Sequence, residues 1–436
     1  MLRYYFLLGL RSLRRNPALT ALMVLTLAIG VAASVSTLTI LHVMSGNPLP
    51  HKSDRLFVPL LDNGSLSGYT PGNKSGDNQL SYRDAVNLQN SQIGERRSVM
   101  YGVGGPVEPA RKDIGAFTSR GLAAYRDFFA MFDTPFRHGQ PWSAADDAAG
   151  ADVVVLSRKL AEKLYGDANP VGQRMTLLGF PYQITGVLDT WEPVPRIHRI
   201  IGSGAFGNDD EFFIPFTSAI RHQTTHDGSM SCDGDRAAGY QGTLDSECTW
   251  LQFWFEMAHD GQRGELQSYL DSYAQEQRKL GRLKRNAPNQ LFNIDEWLAH
   301  LNVVGNDNRL SAWLAFGFLA LCLVNTVGLL LAKFSVRAAE VGIRRALGAS
   351  RADIFRQFLL ETTVIGLAGG VLGLLLAYGA LALIGMQSRQ LTVVAHMDWQ
   401  MLCLTFLVSV GAAILAGLLP TWRACQVTPA MQLKSQ

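Results

Sequence analysis

Hydrophobic residues in this chain are gathered into four long runs, and one long stretch of mixed polar and apolar positions separates the first run from the other three. The runs cover residues 18–44, 310–332, 362–386 and 401–420. Each can cross a hydrocarbon core about 30 Å thick, which takes about 20 helical residues. The pattern predicts a membrane α-helical protein with four transmembrane helices, one plus three, and a large domain inserted after the first helix.

The inserted segment, residues 45–309, has the pattern of an α+β domain. Short apolar runs, helix-capping residues and turn residues follow one another through it. Ser81 with Asp84 predicts one capped helix, and Gly179-Phe180-Pro181 predicts the turn of a β-hairpin. The predicted helices are Tyr82–Asn90, Ser157–Tyr165, Gln262–Arg285 and Ile294–Leu301, and the predicted strands are Val153–Leu156, Arg174–Leu178, Tyr182–Val187 and Phe212–Ile214.

The segment between the second and third runs, residues 333–361, is basic and amphipathic. It carries six Lys or Arg residues, and its apolar positions Val336, Ala339, Ile343 and Leu347 recur at helical spacing. Gly348 suits the left-handed position that ends a helix. Ser350 with Asp353 predicts a capping box that begins the next helix. These features favour a short basic helix joined by a tight turn to the third span, and a plain cationic loop that only sets topology is the alternative.

Charge placement predicts the orientation of the chain in the membrane. Arg3, Arg11, Arg14 and Arg15 precede the first run without an acidic residue among them, in a candidate amphipathic helix over residues 1–17. The 333–361 segment is the second basic cluster, whereas residues 387–400 contain a single arginine. By the positive-inside rule, both termini, including the 421–436 tail, and the basic segment are cytoplasmic. The 45–309 domain and the short 387–400 loop are then external.

Two of the five cysteines, Cys232 and Cys248, fall in the external segment, within a stretch rich in Gly, Asp and Ser. An oxidising compartment favours a disulfide between them, worth about 3 kcal/mol in a chain-entropy description of a loop of this size. Two free thiols are the alternative.

Motifs that carry catalysis are not found in the sequence. It contains no GxxxxGK[ST] phosphate loop, HExxH, CxxC or GxSxG. The acidic run Asp209-Asp210-Glu211 is typical of a solvated turn. We therefore expect a non-enzymatic chain that binds no cofactor, metal ion or nucleic acid.

Three stretches resemble MacB-type ABC transporter permeases. Residues Glu340–Glu361 read EVGIRRALGASRADIFRQFLLE and resemble the signature of the FtsX-like transmembrane domain. Residues Leu415–Leu433, LAGLLPTWRACQVTPAMQL, resemble that domain's C-terminus. Residues Asp152–Leu188, DVVVLSRKLAEKLYGDANPVGQRMTLLGFPYQITGVL, resemble the periplasmic core domain. The region from Gly204 to Thr249 lies outside the resemblance.

The resemblance implies a permease of the mechanotransmission class, called type VII, in a bacterial inner membrane. It implies a second permease copy or a paralogue, a separate ATPase dimer that holds ATP and Mg²⁺, contact with membrane lipid and, in exporters, a periplasmic adaptor and an outer-membrane channel. Efflux from the periplasm is the function it favours; FtsX-like signalling to a periplasmic hydrolase and lipoprotein extraction are the alternatives. The residues expected to couple to the ATPase are Arg337, Glu340, Ile343, Arg344, Arg345, Leu347, Gly348 and Ala349, and Glu361 is expected to pair with a nearby Lys or Arg.

Overall fold

A computed structural model describes most of the chain. The described residues are 16–64, 66–73, 78–109, 111, 113–207, 210–233, 236–387 and, further on, 407, 411, 414, 415, 417, 418 and 420–422. The chain divides into two compact units, residues 46–303 and residues 1–45 with 304–436. The predictions for the 1–17 helix, the 387–400 loop and the 421–436 tail lie wholly or almost wholly outside the described residues, as does most of the predicted fourth span.

Helices and strands alternate irregularly along the chain. The described helices are α1 Pro17–Ser45, α2 Tyr82–Gln89, α3 Asp127–Met131, α4 Ala144–Ala149, α5 Arg158–Tyr165, α6 Phe216–Arg221, α7 Gly239–Asp245, α8 Arg263–Lys279, α9 Ile294–His300, α10 Asn306–Val336, α11 Ala338–Ala346 and α12 Arg351–Gln387. The described strands are β1 Leu56–Leu60, β2 Leu80–Ser81, β3 Arg96–Glu108, β4 Phe117–Ala124, β5 Phe136–Gly139, β6 Val153–Leu156, β7 Arg174–Leu177, β8 Phe180–Leu188, β9 Phe212–Pro215, β10 Thr249–Glu256 and β11 Gln290–Phe292.

The membrane unit is built around α1. Within the described residues, α1, α10 and α12 are the helices long and apolar enough to span a membrane. Small residues let the helices approach closely. A Cβ on Gly30 would lie 2.9 Å from the Cβ of Cys322 on α10, and one on Gly369 of α12 would lie 2.8 Å from a methyl group of Leu27. Helix α1 therefore packs against both other spans, and three of the four predicted spans are present in the described part of the chain.

The inserted unit is an α+β domain, as the sequence predicted. Its strands form one mixed sheet in the order β11-β1-β10-β3-β4-β9-β6-β8-β5, with β2 and β7 attached at the side. Strands β4 and β9 are parallel, as are β6 and β8, whereas β1 is antiparallel to both β10 and β11. Apolar clusters cover both faces of the sheet, including Phe253 on one face and Trp254 on the other.

Several predicted elements are confirmed with small shifts in their ends. Ser81 caps α2 by accepting a bond from the Asp84 amide at 3.3 Å, and Ser157 caps α5. The predicted hairpin is β7 and β8, but its turn is Leu178-Gly179, where φ is positive at both residues, so Phe180 already begins the second strand. Helix α8 ends at Lys279 instead of Arg285, because the chain turns at Gly281, where φ is +76°.

The prediction that Asp209-Asp210-Glu211 is a solvated turn is wrong for Asp210. Its carboxylate is fully buried and accepts bonds from Arg196 Nη2 and Arg199 Nη1, each at 2.5 Å. His198 Nε2 lies 3.1 Å from the same carboxylate. Burial alone would raise the pKa of Asp210, but the two guanidinium charges and the His198 contact hold that pKa well below its ordinary value. Asp210 is therefore a buried anion that holds residues 196–199 beside the start of β9.

The Arg199 guanidinium also bonds to backbone oxygens outside residues 196–199. Arg199 Nη2 donates to the backbone oxygen of Asp227 at 2.8 Å, and Arg199 Nη1 donates to the Gly121 oxygen of β4 at 3.3 Å. A Cβ on Gly102 of β3 would lie 1.8 Å from Arg199 Nη2. Glycine is therefore required at position 102 because the guanidinium occupies the space of a side chain.

The structure joins Cys232 and Cys248 in a disulfide. Next to it, Ser231 and Thr249 exchange backbone hydrogen bonds of 2.9 and 2.8 Å. These bonds attach the start of the disulfide-closed loop to the first residue of β10. Tyr240 and Leu244 of α7, inside this loop, pack on the core. The loop is therefore part of the folded domain.

Candidate functional site: the coupling hairpin

The coupling hairpin, defined here as residues 333–361, consists of the end of α10, the short helix α11 and the start of α12. Helix α11 ends in the turn that the sequence predicted: Gly348 has φ +99°, and its amide donates to the Arg345 oxygen at 3.1 Å. The capping box that begins α12 is confirmed. Ser350 Oγ donates to the Asp353 carboxylate at 2.5 Å, and the Asp353 amide donates back to Ser350 Oγ at 3.1 Å. Short-range bonds therefore hold α11 against α12 through a four-residue turn.

One side of the hairpin is packed. Val341 of α11 is buried with Ile354 and Phe358 of α12. The rings of Phe358 and Phe334, at the end of α10, have centroids 4.3 Å apart. These contacts attach α11 to both membrane helices. They were not predicted, because Ile354 and Phe358 come from the next helix and the spacing within α11 does not identify them.

Three of the four residues of the predicted apolar stripe are exposed. Val336, Ile343 and Leu347 are 79%, 61% and 83% exposed. Ile343 and Leu347 are four residues apart and share one side of α11 and its C-terminal end, and Val336 is the last residue of α10. The hairpin thus has an inner apolar face, which packs within the hairpin, and an outer apolar stripe, which is exposed.

A buried ion cluster joins α10 to α12. Lys333 and Glu361 form an ion pair whose side chains are 0% and 1% exposed, and Arg337 Nη1 lies 3.1 Å from Glu361 Oε2. The expectation that Glu361 pairs with a nearby cation is confirmed. Lys333 was predicted to belong to a cationic loop, but it lies on the last turns of α10 because that helix continues to Val336. Burying two charges is costly, so a buried pair indicates a specific geometry more than it indicates stability.

Three of the predicted coupling residues make bonds within the hairpin. Arg344 Nη2 donates to Glu340 Oε1 at 2.7 Å along α11. Arg344 Nη1 donates to Gln357 Oε1 of α12 at 3.0 Å, while Arg337 bonds to Glu361. Ile343 and Leu347 lie on the exposed stripe, Arg345 is half-buried, and Gly348 and Ala349 form the turn. The charged members therefore position the helix, and the apolar members are the ones left open to a partner.

Comparison with known proteins identifies both parts of the chain. Residues 20–245 match the family described as MacB-like periplasmic core domain, and residues 312–429 match the FtsX-like permease C-terminal family. The pyoverdine export ATP-binding/permease protein PvdT of Pseudomonas fluorescens is 25% identical over 378 residues, which are 85% of this chain and 50% of that protein. The ABC transporter permease YknZ of Bacillus subtilis is 25% identical over 303 residues, which are 68% of this chain and 65% of YknZ.

The chain thus spans about half to two thirds of the length of these relatives. Among solved structures, the periplasmic region of MacB from Actinobacillus actinomycetemcomitans matches 58% of this chain and 94% of that region, with 14% identity and a TM-score of 0.36. The family assignment rests on the two sequence families, the first of which covers more than half of the chain. The chain belongs to the ABC transporter permeases in which a MacB-like periplasmic core domain is combined with an FtsX-like permease domain.

Proposed function

We propose that this permease couples ATP hydrolysis by a separate cytoplasmic ATPase dimer to movement of its periplasmic domain, and that this movement drives efflux of a substrate from the periplasm. In this proposal the ATPase binds ATP and Mg²⁺. The active assembly contains a second permease, either another copy or a paralogue, together with a periplasmic adaptor and an outer-membrane channel.

The observation that carries this proposal is the open stripe of Val336, Ile343 and Leu347. Exposed apolar side chains at helical spacing are the usual means by which a helix docks into a groove on a partner. Ile343 lies on α11 and Leu347 directly follows it, whereas Val336 is the last residue of α10. Helix α11 packs on α12 through Val341, and the Lys333–Glu361 pair joins α10 to α12. A force applied to the stripe is therefore passed to α10 and α12 together, and the hairpin is suited to transmit movement of the ATPase.

The direction of transport and the orientation rest on separate support. The name of PvdT states export of pyoverdine by that protein, which favours export for this chain too. The basic residues before α1 and in the coupling hairpin favour cytoplasmic termini. Two reporters fused after Gln436 test the orientation. A reporter that works only in the cytoplasm should be active, and activity of a reporter that works only in the periplasm would contradict the proposed orientation. Co-purification of an adaptor and an outer-membrane channel would support efflux. Co-purification of a cell-wall hydrolase would instead support signalling, and that of a lipoprotein carrier would support lipoprotein extraction.

The decisive experiment is Leu347→Asp in the full chain, assayed by pull-down of the co-expressed ATPase. Burying a leucine at an interface is worth about 1.5–3 kcal/mol, so a loss of about 2 kcal/mol should weaken association roughly 30-fold. Leu280→Asp is the matched control, because Leu280 is 71% exposed and lies in the other unit. Full recovery of the ATPase with Leu347→Asp would show that the stripe contacts only lipid.

A further inference from the structure

The two segments that join the periplasmic domain to the membrane helices are bonded to each other through one carboxylate. Asn47 follows α1 by two residues, and Asp295 lies in the first turn of α9, the last helix before α10. Asn47 Nδ2 lies 3.1 Å from both carboxylate oxygens of Asp295, and Ser53 Oγ donates to Asp295 Oδ2 at 2.8 Å. We refer to Asn47, Ser53 and Asp295 as the Asp295 cluster.

The cluster is itself internally braced. Asn47 Nδ2 also lies 3.0 Å from Ser53 Oγ, and Asn47 Oδ1 accepts a bond from the Leu49 amide at 2.9 Å. Asp295, the acceptor, is positioned by the start of α9, where Asn293 and Glu296 form a capping box. Every polar atom of the Asn47 amide group is therefore used, and its position is set by the two segments together.

The same two segments are joined by a sheet contact and by the core. Strands β1 and β11 are antiparallel neighbours, with Val58 opposite Phe292 and Leu60 opposite Gln290. Trp297 of α9 is buried in the same apolar cluster as Val58. Residues 46–60 and 290–303 therefore form one block at the edge of the domain.

The first segment is in turn fixed to the body of the domain. Lys52 Nζ donates to Asp133 Oδ1 at 2.6 Å and to the Ala130 oxygen at 2.7 Å, and it lies 3.6 Å from the buried carboxylate of Glu256 on β10. The block is thus continuous with both the sheet and α3.

We propose that the Asp295 cluster is a positioning joint that makes the two segments move as one body, so that displacement of the membrane helices turns the periplasmic domain as a unit. Asp295 and Asn47 contact no substrate in this role; they set the geometry through which movement is passed on. This inference rests on the proposed function, in which ATP hydrolysis moves the periplasmic domain. It assigns the stiffness of the junction to three polar side chains.

The test introduces a second negative charge at the joint and then restores the pair with a compensating substitution, in the full chain with its ATPase in lipid nanodiscs. Asn47→Asp sets a second carboxylate against Asp295 and should open the joint, whereas Asn47→Asp combined with Asp295→Asn restores one amide–carboxylate pair. Loss of hydrogen bonds to a charged group should raise hydrogen exchange about tenfold in both 46–60 and 290–303, and the double variant should reverse it. Asp245→Ala, at an exposed carboxylate of α7, is the control.

The second readout distinguishes positioning from folding stability. A spin label at position 280, on the exposed Leu280, should report an ATP-dependent distance change between the two permease copies in the otherwise unaltered protein. Asn47→Asp should abolish that change and the double variant should restore it. A full distance change in Asn47→Asp, or increased exchange in only one segment, would overturn the proposal. If the unaltered protein shows no ATP-dependent change, the proposed function fails, while the exchange data still test the joint.

Discussion

Replacing Asp210 by asparagine should strongly destabilise the periplasmic domain. The substitution keeps the shape of the side chain but removes the charge that Arg196 and Arg199 share. Breaking a buried ion pair typically costs about 3–5 kcal/mol. Arg199 keeps its contact with Asp227 at 3.1 Å, so the lower value of about 3 kcal/mol is expected. For a unit of this size, 1 kcal/mol shifts Tm by about 2–4 °C, which gives a loss of about 6–12 °C.

The assay is thermal unfolding of the purified full chain, followed by tryptophan fluorescence. Trp191 is a suitable probe because its ring lies 5.1 Å from that of His198, beside the buried carboxylate. Asp189→Asn is the control. Its carboxylate is 48% exposed and pairs with Arg158 at the surface, so Tm should change by less than about 2 °C. An Asp210→Asn shift as small as that of the control would refute the reasoning.

The pH dependence supplies an independent check of the same interaction. The pKa of Asp210 is lower in the folded protein than in the unfolded chain, so its stabilisation is complete above the unfolded value of about 3.8. That stabilisation is lost as the pH falls from there toward the folded pKa. The difference in Tm between the unaltered protein and Asp210→Asn should therefore be constant from pH 5 to 8 and shrink below about pH 4. A difference that shrinks near neutral pH would contradict this assignment.

Three further predictions concern other parts of the chain. Burial raises the pKa of Asp147 to about 6, so the folded state holds this proton more tightly than the unfolded chain. The free energy of unfolding should therefore fall by on the order of 2 kcal/mol as the pH rises from about 4 to 6. In Asp147→Asn, the pH dependence of Tm over that range should be weaker. Gly348→Val should retain part of the ATPase in pull-downs but remove the ATP-dependent distance change, because a β-branched residue at φ +99° forces the turn open; a normal distance change would contradict this. Mass mapping without reduction should find peptides joined through Cys232 and Cys248, and alkylation of both thiols in the unreduced protein would disprove the bond.

Local signals in the sequence were sufficient for many elements. The caps of α2, α5 and α12 each depend on a serine and on the residue three positions later, so they could be found from spacing alone. The turn at Gly348 is equally local. Long apolar runs predicted α1, α10 and α12 for the same reason, since a helix that spans a membrane must be apolar along its length.

Features that depend on distant contacts could not be predicted. Strand β3 contains Gly102, Gly104, Gly105 and Pro106, a composition typical of a loop, yet it is the longest strand of the sheet. Its glycines are explained only by the fold: Gly102 makes room for the Arg199 guanidinium, and a Cβ on Gly105 would lie 2.6 Å from a Leu178 methyl group. The compact sheet therefore overrides the local preference of the sequence.

The candidate site was predicted in outline, but its internal packing was not predicted. Helical periodicity correctly grouped Ile343 and Leu347 on one stripe, but it could not show that Val341 is the residue that packs inward. That choice is made by Ile354 and Phe358, which come from the next helix. The Lys333–Glu361 pair was likewise hidden, because its two members are separated by the whole hairpin. Sequence spacing locates an amphipathic helix, and tertiary packing decides which of its faces is free.

The pairing of the first and last strands of the inserted domain makes that domain an exchangeable cassette. Because β1 lies beside β11 and Asn47 reaches Asp295, the polypeptide arrives and departs at one corner of the fold. A domain with adjacent ends can be grafted into a short loop without altering the separation of the elements that flank the loop. Chimaeras cut at Gly46 and Val303 can therefore give one membrane unit the inserted domain of another permease while the membrane helices stay unchanged.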